Sequence, residues 1–382
     1  MDETAIIQEL KASRIDLVTS IPCDRMKGLF FRLPEEFRHI GLTREEDGVG
    51  VSAGAYLAGA RPLVAIQSSG LGNMLNALLS LTVAFGLPLP ILASWRGGPD
   101  ETIPAQVPFN RSLPGILSAA AIPFTVLSDR RGADKIGSAI ASAFEKRSPH
   151  VILARPGCFE EQGPPMEPPA PLCAGPAQTV HYIRDWSSPS MTRYDAIGSI
   201  ANEVQDEVIV SNIGVPSKEL YAAKDRDLNF YMLGSYTQVS AIGLGIAAVR
   251  PDRRVIVLDG DGSLLGSSIL PVIAAAAPAN LTVVALDNGV FGSTGNQPRP
   301  GCETADLRLM ALGAGFKRTW TVHETAELVE AVSASAGGGP SFIHARILPG
   351  NREVPNIPLE PAELRDRFMG ALERGSEKKI VR

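Results

Sequence analysis

Several features are scarce in this sequence of 382 residues, and each scarcity excludes a class of protein. The four cysteines, Cys23, Cys158, Cys173 and Cys302, lie far apart and form no C-x-x-C pair, so neither a zinc site nor a disulfide framework is expected. Basic residues number 36 against 41 acidic ones, which gives a formal net charge of −5. A chain without a basic surplus has no extended cationic face for nucleic acid.

The sequence also lacks a long apolar run. Gly86, Pro88 and Pro90 interrupt the best candidate for a membrane-spanning segment. The first twenty residues carry early acids and have no apolar core of the kind found in signal peptides. We therefore expect a cytoplasmic protein with reduced thiols that binds neither nucleic acid nor membrane.

What the sequence does contain is an alternation of strands and helices in two halves. β-branched runs predict strands at 16–19, 39–43, 62–67, 89–94, 150–154, 207–212, 254–259, 281–287 and 341–347. Helices are expected near 25–33, 45–59, 71–85, 133–146, 238–249, 264–277, 304–313, 324–335 and 361–373. This alternation predicts an α/β fold with two doubly wound parallel-sheet domains, at 1–157 and 191–382, joined by a proline-rich linker at 158–190.

Polar residues follow two neighbouring strands of the second half. Asp261 lies in the segment D-G-D-G after one β-branched run, and Asn288 lies in D-N-G after the next, 27 residues later. The carboxyl ends of neighbouring parallel strands meet at the ligand-binding edge of an open α/β sheet. Mg²⁺ prefers oxygen ligands and usually shares them with phosphate oxygens. We therefore predict a magnesium site made by Asp261, Asn288 and the backbone carbonyl of Val290.

The same segment has the features of a diphosphate site. Gly260 and Gly262 allow a diphosphate to approach the backbone, with Ser263 and Asn288 beside it. The N-terminus of the following helix favours its negative charge. A lone G-D-G is often only a turn, but the paired D-G-D-G and D-N-G at this spacing resembles the fingerprint of thiamine-diphosphate-binding proteins.

Thiamine diphosphate requires a buried carboxyl group that hydrogen-bonds its aminopyrimidine ring and shares a proton with it. In such enzymes this glutamate precedes a helix with an A-G-Y-like turn nine residues later. Counting back nine residues from Gly54 in TREEDGVGVSAGAYLAG gives Glu45, with Glu46 as the alternative. Acids at a helix N-terminus are also favourable for electrostatic reasons alone, which is the better account of Glu46 and Asp47.

Taken together, the two halves resemble the α and β subunits of sulfopyruvate decarboxylase fused end to end, within a family that also contains phosphonopyruvate decarboxylases. The matching stretches are TSIPC (19–23), TREEDGVGVSAGAYLAG (43–59), QSSGLGN (67–73), WRG (95–97), AQVPFNR (105–111), NIGVPSKELY (212–221), DRDLNFYMLGS (225–235), GDGS (260–263) and DNGVFGSTGNQ (287–297).

The resemblance implies decarboxylation of 3-sulfopyruvate to sulfoacetaldehyde and CO₂, a step of coenzyme M biosynthesis. Phosphonopyruvate or another 2-oxo acid is the alternative substrate. It further implies that Glu45 activates the cofactor, and that the active sites of a homo-oligomer lie between chains. The other cofactor-binding residues that it implies are Gly70, Leu71, Gly72, Gly234, Ser235 and Tyr236. Tyr236 replaces the usual methionine, so its part in shaping the bound cofactor is open.

Candidate substrate residues follow from the charge of the substrate. Arginine forks suit sulfonate and carboxylate groups. Arg96, Gln106 and Arg111 fall in a polar, proline-bearing loop after a strand, where they either face the active site or are merely solvated. Lys218 faces either the pocket or the outer side of its helix. The segment DETIPAQVPFNR contains no histidine, unlike the corresponding stretch of phosphonopyruvate decarboxylases, and this points towards sulfopyruvate.

The five histidines all fall outside the matching stretches. His39, His150 and His344 lie in predicted strands, where a structural role is expected. Proton transfer is then expected to depend on the cofactor's own amino group and on water or hydroxyls such as that of Ser69.

Overall fold

The computed structural model describes residues 3–99, 101–129, 132–159 and 182–380, so most of the predicted linker, including Cys173, lies outside the described residues. Six parallel strands form the first sheet: β1 (Leu17–Ser20), β2 (Arg38–Gly41), β3 (Pro62–Gln67), β4 (Leu89–Ser94), β5 (Phe124–Leu127) and β6 (Pro149–Ala154). Its helices are α1 (Glu3–Ala12), α2 (Lys27–Glu36), α3 (Glu45–Leu57), α4 (Leu71–Ala77), α5 (Val107–Ala119) and α6 (Ala133–Lys146). We call this unit the first domain.

The second domain is built on another sheet of six parallel strands: β7 (Val208–Ser211), β8 (Asn229–Tyr231), β9 (Val255–Gly260), β10 (Leu281–Asp287), β13 (Arg318–Val322) and β14 (Ser341–Arg346). A short hairpin, β11 (Val290–Phe291) and β12 (Gln297–Pro298), follows β10. The helices are α7 (Arg193–Glu203), α8 (Val215–Ala223), α9 (Val239–Val249), α10 (Asp261–Gly266), α11 (Ile269–Ala276), α12 (Leu307–Ala314), α13 (Thr325–Ala334) and α14 (Pro361–Ile380).

The two sheets share one topology. Numbered within each sheet, the strands of both have the order 2-1-3-4-6-5. The central strands β3, β4, β9 and β10 are almost entirely buried, as expected for parallel sheets that helices cover on both faces. The predicted fold class is therefore confirmed, and the shared topology places corresponding strand ends of the two domains at equivalent positions.

Helices α3 and α9 pack the two domains against each other at very short range. A Cβ atom on Gly54 would lie 2.0 Å from the carbonyl oxygen of Ile242, and one on Gly245 would lie 2.0 Å from that of Val51. Glycine is therefore required on both helices for their backbones to meet. The backbone N–H of Gly50 also donates to Gln238 Oε1 at 3.1 Å, which ties the start of α3 to the second domain.

The structure corrects several predicted elements. Three strands that the pattern did not predict, β5, β8 and β13, all lie at sheet edges, where short strands need fewer apolar residues. Helices α1, α5 and α7 were also not predicted. The segment predicted as a single helix at 264–277 is two helices, α10 and α11, and the one at 71–85 continues from α4 into a π-helical turn at 78–83.

Three of the four cysteines lie in the described ranges: Cys23 and Cys158 are buried, and Cys302 is partly buried. Within the described ranges, no helix is both long enough and apolar enough to cross a membrane.

Candidate active site

The carboxyl edge of the second sheet contains a cavity of about 210 Å³ that gathers seven of the predicted cofactor and metal residues. They are Tyr236, Gly260, Asp261, Gly262, Ser263, Asn288 and Val290. Strands β9 and β10 are hydrogen-bonded neighbours, and this pairing brings the D-G-D-G and D-N-G segments together. All residues found to line this cavity belong to the second domain.

The predicted metal ligands offer mixed oxygen donors. Asp261 is 4% exposed, and Asn288 Oδ1 accepts a hydrogen bond from the Val290 N–H at 3.0 Å, which closes the turn after β10. In the part of the chain that the structure describes, no three His, Cys, Asp or Glu side chains form a metal-binding group. A single carboxylate with amide and carbonyl oxygens suits Mg²⁺, which takes its remaining ligands from water and phosphate.

A fully buried arginine lies behind the predicted metal ligands. The Arg299 Nε donates to Asp261, and its Nη2 lies 3.1 Å from both carboxylate oxygens of Asp287. His344 Nε2 lies 2.8 Å from Asp287 on the other side. Burial and the charge of Asp287 raise the pKa of Asp261. The positive charge of Arg299 acts in the opposite direction, but the pKa of Asp261 remains raised. Burial by itself would raise the pKa of Asp287. The interactions with His344 and Arg299 outweigh burial and hold this pKa below its ordinary range. His344 lies on β14, and its structural role stays a prediction.

The G-S-Y-T segment before α9 has an unusual backbone. Ser235 and Thr237 have φ angles of +70° and +77°, a region that side-chain-bearing residues seldom adopt outside functional sites. The buried Ser235 Oγ has no hydrogen-bond partner among the described residues. Tyr236 donates its hydroxyl to the Gly262 carbonyl, and Gly234 approaches the backbone of Ser80 in the first domain. An unpartnered hydroxyl beside two glycines fits an acceptor-rich group such as a diphosphate.

Glu45 is the first residue of α3, at the carboxyl edge of the first sheet. Its Oε2 accepts a hydrogen bond from Asn73 Nδ2 at 2.8 Å. A Cβ atom on Gly70 would lie 2.4 Å from Glu45 Cγ, so glycine is needed there. Gly72 packs against the ring of Phe109, and Leu71 between the two glycines is buried. Glu45 is only half-buried in this chain, contrary to the expected burial.

The two neighbouring acids lie in the first turn of α3, as predicted, but they are more deeply buried than Glu45. Glu46 is 8% exposed and pairs with Arg44 at 3.2 Å, and burial raises its pKa. Asp47 is 0% exposed, and neither of its carboxylate oxygens has a hydrogen-bond partner among the described residues. Burial, with a contribution from Glu46, raises the pKa of Asp47 to about 7.

The unpaired Asp47 predicts a pH-dependent stability. Its folded-state pKa of about 7 exceeds the value of about 3.9 in an unfolded chain, so the folded state loses stability as pH rises between them. We expect Asp47→Asn to stabilise the protein by a few kcal/mol at pH 8 and by much less at pH 4.5, because each pKa unit corresponds to about 1.4 kcal/mol. Urea unfolding at both pH values measures this. The exposed Asp134→Asn variant is the control, and an equal effect of Asp47→Asn at both pH values would contradict the prediction.

The predicted substrate residues do not all lie in the same part of the structure. Gln106 Oε1 accepts hydrogen bonds from Ser69 Oγ and, at 3.3 Å, from Gln67 Nε2, directly beside Gly70. Arg111 is exposed on α5, so its predicted loop is wrong: a helix begins at Val107. Pro108 lies in the first turn of that helix, where backbone N–H groups have no acceptor within the helix. The missing N–H of proline therefore costs no helical hydrogen bond.

Arg96 and Lys218 are less suited to bind a substrate. The guanidinium of Arg96 is buried and donates to both carboxylate oxygens of Glu101, at 2.7 and 2.9 Å, and to Asp24 at 2.8 Å. These bonds leave it little donor capacity. Lys218 is half-buried on α8 and does not line the cavity around Asp261.

Sequence reasoning missed Arg299, Asp287 and Asn73 as parts of the site. Asp287 belongs to the D-N-G segment, but the sequence indicated only that a strand ends there. Asn73 lay in the quoted stretch QSSGLGN, three residues after Gly70. Arg299 follows the β11–β12 hairpin and carried no motif signal, because its position depends on how that hairpin folds back.

Comparisons with known proteins agree with this division into two domains. The family described as "Thiamine pyrophosphate enzyme, N-terminal TPP binding domain" matches residues 3–110, and "Thiamine pyrophosphate enzyme, C-terminal TPP binding domain" matches residues 219–345. Among solved structures, a putative thiamin diphosphate-dependent enzyme from Mycobacterium smegmatis superposes with a TM-score of 0.68 at 14% identity. The match covers 91% of this chain and 99% of that one. That likeness concerns the fold.

Relatives of similar length are much closer in sequence. Sulfopyruvate decarboxylase from Methanosarcina acetivorans is 44% identical over 383 residues, covering 97% of both chains. Phosphonopyruvate decarboxylase from Streptomyces viridochromogenes is 33% identical over 377 residues, covering 95% of this chain and 93% of that one. The separate beta and alpha subunits of sulfopyruvate decarboxylase from Methanocaldococcus jannaschii match the two halves, at 42% identity over 186 residues and 41% over 121.

Proposed function

This chain belongs to the thiamine-pyrophosphate-dependent decarboxylase family that contains the sulfopyruvate and phosphonopyruvate decarboxylases, and on this premise we propose that it decarboxylates 3-sulfopyruvate to sulfoacetaldehyde and CO₂. The observation that carries the proposal is the 44% identity with sulfopyruvate decarboxylase over 97% of both chains. We also propose that Mg²⁺ is required. A place in coenzyme M biosynthesis and a cytoplasmic location are predictions from the sequence.

Thiamine diphosphate, when bound, supplies the electron sink that decarboxylation of a 2-oxo acid requires. In our proposal the residues around Asp261 hold its diphosphate end. Asp261 Oδ, Asn288 Oδ1 and the Val290 carbonyl would bind the metal, and the Ser235 hydroxyl would donate to a diphosphate oxygen. The two positive φ angles in the G-S-Y-T segment support this assignment, because strained backbone is retained where a ligand needs it.

Glu45 is proposed to hold and move the proton that activates the cofactor. Its carboxylate is fixed by the Asn73 amide and stands against Gly70, where the absence of a side chain leaves room for the Glu45 side chain. A positioned carboxyl group typically contributes about 10²- to 10⁴-fold to a rate. Gln106 and Ser69 lie next to Gly70 and are proposed to donate hydrogen bonds to the substrate.

The substrate is tested by turnover of 3-sulfopyruvate and phosphonopyruvate side by side with purified protein, thiamine diphosphate and Mg²⁺. A sulfonate carries one negative charge and a phosphonate nearly two, and unmatched buried charges reduce affinity strongly. We expect kcat/KM for sulfopyruvate to exceed that for phosphonopyruvate by about tenfold or more. If kcat/KM with phosphonopyruvate were equal to or higher than that with sulfopyruvate, the proposed substrate would be wrong. The proposed cofactor chemistry would be unaffected.

We further propose that each active site is shared by two chains. The cavity around Asp261 is lined by residues of the second domain alone, and Glu45 does not line it. Glu45 is also half-buried, with part of its surface available to a partner. A homodimer in which the first domain of one chain faces the second domain of the other would complete two sites.

The shared site predicts complementation between two inactive variants. In a mixed dimer of Glu45→Gln and Asp261→Ala chains, one site has two intact halves and the other has two damaged ones. Random exchange makes half of the dimers mixed, so about a quarter of wild-type activity is expected. Activity is measured after exchange has been verified with differently tagged chains. A mixture as inactive as its components would argue that each chain builds its own site.

A further inference from the structure

A cavity of about 550 Å³ lies at the carboxyl edge of the first sheet. Its walls include Trp95 after β4, Arg155 after β6, Ser128 after β5, Arg25 in the turn after β1, and Arg111 on α5. In open α/β sheets this edge is where ligands bind. In the second domain, the equivalent edge holds Asp261 and Asn288.

We infer that this cavity binds the sulfonate end of the substrate, and that Arg25 and Arg155, together with Arg111, are the residues that recognise it. This inference rests on the proposed function. It assigns specificity to two arginines that no sequence motif singled out, and it removes Arg96 from the set of direct ligands.

The position of the cavity relative to Glu45 supports this assignment. Gly70 touches Glu45, and the adjacent Ser69 Oγ hydrogen-bonds to Gln106. Asn110 Nδ2 donates to the Gln106 carbonyl at 2.7 Å, and Asn110 itself lines the cavity. Contacts therefore link the proposed catalytic carboxylate, through Gly70, Ser69 and Gln106, to Asn110 in the cavity wall, and a three-carbon substrate would lie along this line.

The charge of the cavity is strongly unbalanced. Four arginines line it, and Glu101 is the single acid among its described lining residues. Hydrogen bonding by Arg96 lowers the pKa of Glu101 to about 2, and Arg96 also pairs with Asp24, so these three groups are a fixed part of the wall without net positive charge. The positive charge that faces the cavity therefore comes from the other three arginines. A protein with a net charge of −5 that concentrates arginines in one cavity is built to attract an anion there.

The three remaining arginines have donors to spare. Arg111 and Arg155 form no ion pair within the described ranges. Arg25 has only Asp24 nearby, at 3.6 Å, and its buried Nε has no hydrogen-bond partner among the described residues. The guanidinium of Arg155 lies 5.2 Å from the ring centre of Trp95, a stacking contact that holds it near the cavity without using its N–H groups.

The chemistry of the walls suits a sulfonate on a short carbon chain. Three guanidinium groups provide forked donors for a tripodal anion. Trp95, whose indole N–H donates to the Asn110 carbonyl at 3.1 Å, gives a fixed apolar surface for the methylene group, and Pro99 and Pro156 extend it. The carboxylate and 2-oxo groups are then left to face Gln106 and Ser69.

The inference is tested with 3-sulfopropanoate, an unreactive analogue that lacks only the 2-oxo group. Its dissociation constant is measured by calorimetry for the full-length protein and for Arg25→Gln, Arg155→Gln and Arg111→Gln. Each variant should bind about tenfold to a hundredfold more weakly, because each loses a charged hydrogen-bond donor. Arg14→Gln removes an exposed arginine from the same domain outside the cavity and should bind as wild type does. Butanoate, which has no sulfonate, should bind weakly and equally to all five proteins.

Arg155→Lys serves as a second variant, because lysine keeps the positive charge but lacks the forked donors of the guanidinium. Its affinity for 3-sulfopropanoate is expected to lie between those of Arg155→Gln and wild type. Wild-type affinity in both Arg25→Gln and Arg155→Gln overturns the inference, even if sulfopyruvate is turned over. If instead 3-phosphonopropanoate binds more tightly than 3-sulfopropanoate, and the same variants bind it more weakly than wild type does, the sulfonate assignment is overturned together with the proposed substrate. The binding measurement needs no turnover, so the failure of the cavity and the failure of the proposed reaction are distinguishable.

Discussion

Replacing Glu45 by glutamine is expected to reduce turnover by about 10²- to 10⁴-fold while the protein remains folded and binds thiamine diphosphate. Glutamine has nearly the same shape, so the contacts with Gly70 and Asn73 should persist. What is lost is a group that accepts and returns a proton. The loss should therefore appear in kcat rather than in cofactor affinity.

The measurement that isolates this step is exchange of the C2 proton of the bound cofactor into D₂O, followed by rapid quenching and NMR. Exchange should slow severely in Glu45→Gln. Glu46→Gln is the matched control, since it makes the same change one residue later, where the side chain pairs with Arg44. Slower exchange in Glu46→Gln than in Glu45→Gln would show that the neighbouring glutamate is the catalytic one.

The sequence predicted which second-domain residues meet at the edge of the sheet, because their signal is local. Asp261 and Asn288 directly follow β-branched strands, and parallel pairing of β9 with β10 makes their meeting a consequence of the fold. No long-range information was needed beyond the alternation of strands and helices. Gly70 was named from the family resemblance alone, and the structure places it against Glu45.

What the sequence could not supply depends on tertiary packing. Asp47 looks like any acid in the first turn of a helix, but α3 lies between the first sheet and α9, which buries it. Arg25 and Arg155 are separated by 130 positions and meet only because β1 and β6 end at the same edge. Arg299 reaches Asp261 only after the β11–β12 hairpin turns back.

Replacing Asp261 is expected to abolish Mg²⁺-dependent binding of thiamine diphosphate. Asp261 is the one carboxylate among the three proposed metal ligands, so its loss removes the strongest electrostatic attraction for the cation. We expect the cofactor affinity of Asp261→Ala at ordinary Mg²⁺ concentrations to fall by about 100-fold or more. Titration of cofactor binding by fluorescence quenching, at several Mg²⁺ concentrations, measures it.

Arg299 makes the choice of variant important. Alanine at position 261 leaves the buried Nε of Arg299 without its hydrogen-bond acceptor, and an unsatisfied buried donor destabilises the fold by itself. Asp261→Asn keeps an oxygen acceptor for Arg299 but loses the negative charge. Its thermal midpoint without ligands should therefore stay closer to that of wild type than the midpoint of Asp261→Ala.

A ligand that binds only the folded state raises the thermal midpoint by an amount that grows with the logarithm of its affinity, so the gain on adding Mg²⁺ and thiamine diphosphate reports binding separately from intrinsic stability. Wild type should show a clear gain, and both variants should show little or none. If Asp261→Asn gained as much as wild type, Asp261 would be a partner of Arg299 and nothing more. The metal would then have to be held by other groups. Loss of the gain in Asp261→Asn, with its unliganded midpoint preserved, would instead identify Asp261 as a ligand whose orientation Arg299 maintains.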